Sequence, residues 1–210
     1  ARAEARWGQG RSASLFVGRQ FRAEEEPGYL RPVNGAPGQF YDPTGIAETA
    51  SDWLIAATFV PFSRVSGQVR ARIDGDTAEV RRMDASVVAS FGLKNFAAIS
   101  YGVDDTDPSP LTTNGNYEYL QGSGQFFFTR HWGVSGLAVR DQRRDALIRS
   151  ELALVYDDEC LRFELVYERE ERLAPIGTSS ALGLRPSEGV FIRLNLATLG
   201  DTGYGRTDTR

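Results

Sequence analysis

Residues 161–168 read Leu-Arg-Phe-Glu-Leu-Val-Tyr-Glu, so apolar and charged side chains alternate at almost every step. The two sides of this segment are Leu161, Phe163, Leu165 and Tyr167 on one, and Arg162, Glu164 and Glu168 on the other. Successive side chains of a β-strand point to opposite faces of the sheet. The two-residue period therefore predicts a strand with one apolar and one charged face.

The same alternation recurs along most of the chain, and helical periodicity is hard to find. In 53–62 both faces are apolar, and in 132–139 the pattern does not say which face is the apolar one. Residues 1–7 are interpreted as the end of one strand. After them, about ten segments are predicted as full strands: 11–23, 51–61, 64–74, 79–91, 94–104, 116–128, 131–140, 145–156, 160–170 and 188–199.

The connections between these strands alternate in length. The long connections are 24–50, 105–115 and 171–187, and each falls in an odd position of the series, with tight turns in the even positions. In an up-and-down sheet, all long connections then lie at one end of the strands. Long loops on one rim and tight turns on the other are typical of bacterial outer-membrane barrels.

A soluble barrel or β-sandwich would also produce alternation, because the pattern does not say which face is inside. Strands of 10 to 13 residues match the ~9–11 residues of a membrane-spanning strand better than the ~5–6 of an ordinary strand. Aromatic residues collect near the strand ends, as in interfacial girdles: Trp53, Phe62, Phe91, Tyr101, Phe128, Trp132, Tyr156 and Tyr167. Charges of both signs on the polar faces suit a water-filled lumen: Arg70, Arg72, Arg82, Asp84, Arg149, Glu151, Arg162, Glu164 and Arg193.

The prediction is therefore a transmembrane antiparallel up-and-down β-barrel, here an incomplete segment of about ten to eleven strands that form part of one domain over residues 1–210. A net charge of −4 without a basic stripe argues against a nucleic-acid partner. No apolar run approaches the ~18 residues of a spanning helix. With one cysteine and one histidine, the chain has no metal-ligand cluster, and no cofactor is predicted.

Four motifs resemble, in the right order, the LptD family of lipopolysaccharide-assembly outer-membrane proteins. They are VGRQFR at 17–22, SDW at 51–53, LVYDDECLRFELVYER at 154–169 and GVFIRLNLATLG at 189–200. The resemblance implies a barrel of about 26 strands with a lipoprotein plug of the LptE type. It also implies a periplasmic jelly roll that receives lipopolysaccharide from bridge proteins. This chain would be the C-terminal part of the barrel, without the jelly roll and the first strands.

In that family, the lipid leaves the barrel sideways into the outer membrane, through a lateral gate between the first and last strands. The resemblance assigns the last strand here to Gly189, Val190, Phe191, Ile192, Arg193, Leu194, Asn195, Leu196, Ala197, Thr198 and Leu199. It further implies that Cys160, which lies in a turn at the rim with the tight turns, forms a disulfide with the periplasmic region. The alternative is an inert free thiol that packs as a small apolar side chain.

No enzymatic activity is predicted. His131 is the only candidate for the catalytic base of a barrel lipase. It lies in a turn at the rim with the tight turns, and no Gly-x-Ser-x-Gly motif accompanies it, so a lipase is not predicted. The run Asp104-Asp105-Thr106-Asp107 lacks the glycine and distal glutamate of a calcium loop and reads as a solvated acidic loop. The charges of the polar faces either guide an anionic glycolipid or form a structural ladder of ion pairs. A porin-like diffusion channel is the alternative function.

Overall fold

The structure is a computed structural model that describes residues 1–8, 10–33, 35–43, 45–92, 94–106, 116–158, 160–171 and 187–196. Within these ranges the fold is all-β, with a single 3-10 turn at Pro27–Tyr29 as its only helical element. No helix in the described ranges has the length and apolar character to cross a membrane. The strands are β1 (Arg2–Trp7), β2 (Arg11–Gly18), β3 (Arg31–Pro32), β4 (Phe40–Tyr41), β5 (Trp53–Phe62), β6 (Val65–Ile73), β7 (Val80–Phe91), β8 (Asn95–Asp104), β9 (Tyr117–Phe127), β10 (Trp132–Asp141), β11 (Ala146–Asp157), β12 (Leu161–Glu170) and β13 (Ser187–Leu196).

Eleven of these strands form one antiparallel sheet in which every strand pairs with its neighbours in sequence, apart from the β3–β4 hairpin between β2 and β5. All ten predicted full strands and the predicted strand end at 1–7 are present. The first full strand is shorter than predicted, because β2 ends at Gly18 and only an isolated bridge between Phe21 and Ala50 continues the pairing. The sheet is open, since β1 and β13 do not pair with each other.

The predicted asymmetry of the connections is confirmed by this strand order. The connections β2–β5, β8–β9 and β12–β13 leave the sheet at one end, here called the long-loop edge. The turns after β1, β5, β7, β9 and β11 lie at the opposite end, the tight-turn edge. The β3–β4 hairpin inside the first long connection was not predicted, since two-residue strands carry no periodicity. Val33 and Ala47 are buried within this connection.

The pairing register resolves the two segments whose faces were ambiguous. In β5, Ala56 lies opposite Arg70 and therefore shares the polar face, whereas Phe59 lies on the apolar face. In β10, Ser135 lies opposite Ala153 on the polar face, and Val134 points to the other side. The ambiguity had a physical cause, because the polar face of these strands carries small or apolar residues, such as Ala56 and Leu137, rather than charges.

The polar face is the more buried of the two over β11 and β12. Val155 and Val166 are 0% exposed and Glu164 is 6% exposed, and all three lie on the polar face. On the opposite face Leu152 is 61% and Leu165 41% exposed. A soluble sheet buries its apolar face. Here the large apolar side chains face outward and the charges face inward.

Two buried glycines shape the polar face. Gly102 lies opposite Tyr119, and an added Cβ there would come within 2.3 Å of the tyrosine ring. Gly133 lies opposite Phe127 in the same way, with an added Cβ 2.9 Å from that ring. Each ring thus lies close against a glycine of the neighbouring strand, where any side chain would displace it.

Candidate functional site

All nine predicted lumen charges lie on one face of the sheet. The register connects Arg70 to Asp84 and Arg72 to Arg82 across β6 and β7. It carries the same face through β8, β9 and β10 to Arg149 and Glu151 in β11, and from there to Arg162, Glu164 and Arg193. Their shared face follows from alternation, and the register shows that it continues across every strand between.

The charges of β11, β12 and β13 neutralise one another. Nη1 of Arg193 lies 2.7 Å from Oε2 of Glu164 and 3.5 Å from Oε1 of Glu151. Arg162 donates to Glu164 at 2.8 Å, and Arg149 lies 3.0 Å from Glu168. Each carboxylate therefore has at least one guanidinium partner. We call these six side chains the ion-paired sector: Arg149, Glu151, Arg162, Glu164, Glu168 and Arg193.

Near the tight-turn edge, hydrogen bonds join strands that are not neighbours. Nζ of Lys94, just before β8, lies 2.9 Å from Oδ1 of Asp157 at the end of β11, although β9 and β10 lie between. Nη2 of Arg162 in β12 donates to Oε1 of Gln125 in β9 at 2.6 Å. Strands three positions apart in a flat sheet are separated by about 14 Å. The sheet therefore curves toward its polar face here.

The middle of β2 and β5–β9 carries no charge on one long row of this face. Ser14, Thr58, Gln68, Ser86, Ser100 and Gln121 are successive cross-strand partners. The register aligns these residues and also assigns Thr58, in a segment whose faces were ambiguous, to the polar face. Sequence reasoning therefore did not find the row.

The first long connection is tied to the polar face by Arg72. Its Nη1 donates to the carbonyl oxygen of Pro43 at 2.6 Å, and its Nε lies 3.1 Å from Oδ2 of Asp52. Both side chains of this ion pair are largely buried. Burial raises the pKa of the Asp52 carboxyl, and the neighbouring Arg72 charge partly offsets that effect. Arg72 thus has a structural role here, as an anchor of the connection.

The strand assigned to the lateral gate is β13, which pairs only with β12 among the described strands and lies at the edge of the sheet. All of its residues are exposed, with Val190 at 67% and Ile192 at 59%. These two side chains lie on the apolar face, and Arg193 lies on the polar face. The last three residues of the assignment, Ala197, Thr198 and Leu199, lie outside the described residues.

The candidate catalytic base His131 and the candidate disulfide partner Cys160 lie beside one open cavity at the tight-turn edge. The cavity has a volume of about 880 Å³, and its lining also includes Lys94 and Asp157. Cys160 is an exposed free thiol, and its backbone N–H donates to Oδ1 of Asp158 at 2.9 Å. This bond and the N–H of Leu161 lower the pKa of Asp158. Nδ1 of His131 lies 3.2 Å from the carbonyl oxygen of Asp157, a contact that orients the ring within the turn.

The acidic run at the end of β8 is engaged within the protein. Oδ1 of Asp104 accepts from Oγ1 of Thr106 at 2.7 Å, and Oδ2 lies 3.7 Å from Arg82. Asp105 pairs with Arg143. Asp107 lies outside the described residues. In the described part of the chain, no three His, Cys, Asp or Glu side chains are placed to hold a metal ion together.

A scan against protein-family models finds no match for this chain, and no curated protein matches it.

Proposed function

We propose that this chain is the C-terminal segment of an outer-membrane β-barrel of the LptD type, which transfers lipopolysaccharide to the outer leaflet through its lumen and a lateral gate. The observation that carries the proposal is that the apolar face of the sheet is exposed while the charged face is the more buried one. Leu152, Leu165 and Ile192 are exposed, while the charged side chain of Glu164 is buried on the opposite face. A surrounding apolar medium such as a lipid bilayer makes such an arrangement favourable, which supports the proposal.

The apolar face has the features of a lipid-facing surface. It includes an apolar groove of about 380 Å³, lined among others by Ala57, Val69, Ala85 and Ile99. Aromatic pairs lie toward the tight-turn edge, with ring centroids 6.2 Å apart for Trp7 and Phe59 and 5.0 Å apart for Trp132 and Tyr156. Aromatic rings at one depth are typical of a membrane–water interface.

The polar face suits a hydrated lumen through which a sugar chain passes. In the ion-paired sector the charges are mutually compensated, so a passing anion meets little net attraction there. The apolar side chains of β13 would face the acyl region of the membrane, beside the free edge where the lipid leaves. The partners of the complete barrel are then lipopolysaccharide, a lipoprotein plug of the LptE type, outer-membrane lipid and, through the N-terminal domain, the periplasmic bridge proteins. Cys160 is the candidate for a single disulfide to that domain.

An engineered disulfide tests the gate in the full-length protein with Cys160 replaced by serine. One cysteine replaces Leu194 in β13, and the other is placed on the strand that faces the free edge of β13 in the complete barrel. Oxidation should stop the delivery of lipopolysaccharide to the cell surface, and reduction should restore it. The matched control joins β12 to β13 through Leu165 and Ile192, which lie directly opposite each other. Unchanged delivery in the oxidised gate variant would exclude the lateral gate.

A porin-like diffusion channel is the second candidate, and the anchor at Arg72 favours it. Porins narrow their lumen with an inward-folded loop, and Arg72 holds the connection at Pro43 against the polar face. Conductance in planar bilayers separates the two functions. A channel should show steady ion flow that rises when Arg72→Ala releases the connection, whereas a plugged transporter should show none in its complex with the lipoprotein.

A further inference from the structure

We infer that the uncharged row of the polar face, with Arg70 beside it, is the track on which the sugar chain of the transported glycolipid binds. The inference rests on the proposed function and names the part of the wall that contacts the substrate. The row consists of Ser14, Thr58, Gln68, Ser86, Ser100 and Gln121.

The row is long and continuous. It crosses six adjacent strands, from β2 to β9, and its five inter-strand steps cover about 24 Å. The uncharged polar side chains end at β10, where the apolar Val139 lies opposite Gln121. The next partner is Arg149 in β11, which belongs to the ion-paired sector. Along this line of cross-strand partners, the polar face thus changes from uncharged side chains in β2 and β5–β9 to mutually neutralised charges in β11–β13.

Most of the hydrogen-bonding groups in the row are free for a ligand. Ser14 and Thr58 bond to each other, with their hydroxyl oxygens 2.7 Å apart. The side chains of Gln68, Ser86, Ser100 and Gln121 form no hydrogen bond with any other described residue. Hydroxyl and amide groups can donate and accept. They can therefore form hydrogen bonds with the hydroxyl groups of a sugar chain in any orientation of the sugar. Water molecules can replace each of these hydrogen bonds as the chain moves.

Arg70 adds a site for negative charge next to this row. It lies two residues from Gln68 on β6, and although Asp84 is its cross-strand partner, the Asp84 carboxylate is directed to Arg82, at 3.3 Å. Arg70 forms no ion pair within the described part of the chain. Its guanidinium can hold a phosphate or carboxylate substituent through two parallel hydrogen bonds.

A cavity joins the row, Arg70 and an aromatic ring. Its volume is about 360 Å³, and its lining includes Gln68, Arg70, Ser86, Ser100 and Tyr119. Tyr119 lies against Gly102 and lines the cavity, where an aromatic ring can contact the apolar face of a sugar ring. Hydrogen-bonding side chains, one uncompensated cation and a flat aromatic ring together match an oligosaccharide that carries anionic groups.

Site-specific photo-cross-linking in living cells tests the track in the full-length protein. A benzophenone amino acid is placed at Gln68 or Ser86 in the row, and at Val139 or Glu170 on the polar face outside it. Lipopolysaccharide adducts should be at least fivefold stronger at the two row positions. Equal or stronger adducts at Val139 and Glu170 would overturn the track and leave the proposed transport intact. The absence of adducts at all four positions would overturn both.

A charge series tests the anionic part. With the probe at Ser86, Arg70→Gln should reduce the adduct severalfold and Arg70→Lys should restore most of it. Since Arg70 forms no ion pair with described residues, neither change should alter the heat-induced band shift of the folded barrel. An unchanged adduct in a folded Arg70→Gln protein would remove Arg70 from the site.

Discussion

Nη1 of Arg193 in the edge strand β13 lies 2.7 Å from Oε2 of Glu164, its direct cross-strand partner in β12. Glu164 also accepts from Nε of Arg162 at 2.8 Å and is the most buried carboxylate in these two strands. On the polar side, Glu164 thus makes the shortest ion pair to the edge strand, and Glu151 adds a second contact to Arg193 at 3.5 Å. The opposite side of β13 exposes only apolar residues at its centre.

Replacement of this glutamate should weaken the attachment of β13. We expect Glu164→Gln to lower the free energy of unfolding by about 1–2 kcal/mol, because two guanidinium groups lose a charged partner and both are partly exposed. Urea unfolding of the reconstituted protein measures the change. Glu188→Gln is the control, since the Glu188–Arg169 pair spans 3.6 Å between two exposed side chains and should contribute almost nothing. Equal effects of the two changes would contradict the role of Glu164.

The buried glycines should not tolerate a side chain. An added Cβ at Gly133 would lie 2.8 Å from the carbonyl oxygen of Phe126 and 2.9 Å from the Phe127 ring. We therefore expect Gly133→Ala to destabilise the sheet by about 1–3 kcal/mol. Gly122→Ala provides the control, because no atom lies within 4 Å of its added Cβ. A Gly133→Ala protein that unfolds at the same urea concentration as the wild type would refute the close packing.

A charge on the apolar face distinguishes a lipid-facing surface from a solvent-facing one. Ile99 is 52% exposed at the middle of β8. In a bilayer, Ile99→Arg should cost about 2–4 kcal/mol. On a surface in water, the same change should stay within about 0.5 kcal/mol. The matched change on the polar face is Ser123→Arg in β9, which should be nearly neutral, and folding into lipid vesicles at graded urea measures both variants.

The turn after β6 should lose stability in acid. Oδ1 of Asp74 accepts from the N–H groups of Asp76 and Thr77, and Oδ2 accepts from Arg81 at 2.6 Å. These bonds hold the pKa of Asp74 well below its ordinary value. A lowered folded-state pKa stabilises the fold at neutral pH, and this contribution is lost as the pH falls from about 5.

The test compares the thermal unfolding midpoint of the wild type and Asp74→Asn between pH 7 and pH 3. The wild-type midpoint should fall more steeply below pH 5, and the two midpoints should converge in acid. Asp76→Asn in the same turn should keep the wild-type slope. Parallel curves for the wild type and Asp74→Asn would show that another group controls the acid sensitivity.

The contact between Lys94 and Asp157 joins two strands that the sequence separates by 63 positions. A double-mutant cycle with Lys94→Met and Asp157→Asn should give a coupling energy of about 0.5–1 kcal/mol, because both groups are partly exposed. The reference cycle uses Arg140 and Asp145, an exposed pair within one turn whose coupling should be close to zero. Zero coupling in both cycles would mean that the curvature of the sheet does not depend on this contact.

Alternation and loop length were enough to predict the strands, their order and the edge from which the long connections leave. The reason is local: a period of two residues, as in Leu161 to Glu168, depends only on the extended backbone and on which side chains share a face. The nine charges that were predicted to line a lumen share one face of the sheet for the same reason. Where the polar face carries small residues, as at Ala56 and Ser135, alternation alone was not enough.

Other features depend on which residues meet across strands, and only the tertiary structure decided these. Alternation is symmetric between the two faces, so it did not determine that Val155 and Glu164 would be buried while Leu152 and Leu165 stay exposed. Register aligned Gln68, Ser86 and Ser100, which are far apart in the chain, and curvature brought Lys94 to Asp157. The sequence by itself determined the strands and the composition of their faces. Strand pairing and sheet curvature determined which face is buried, which charged residues form ion pairs and which residues form the uncharged row. Pairing and curvature depend on contacts between segments that are distant in the sequence.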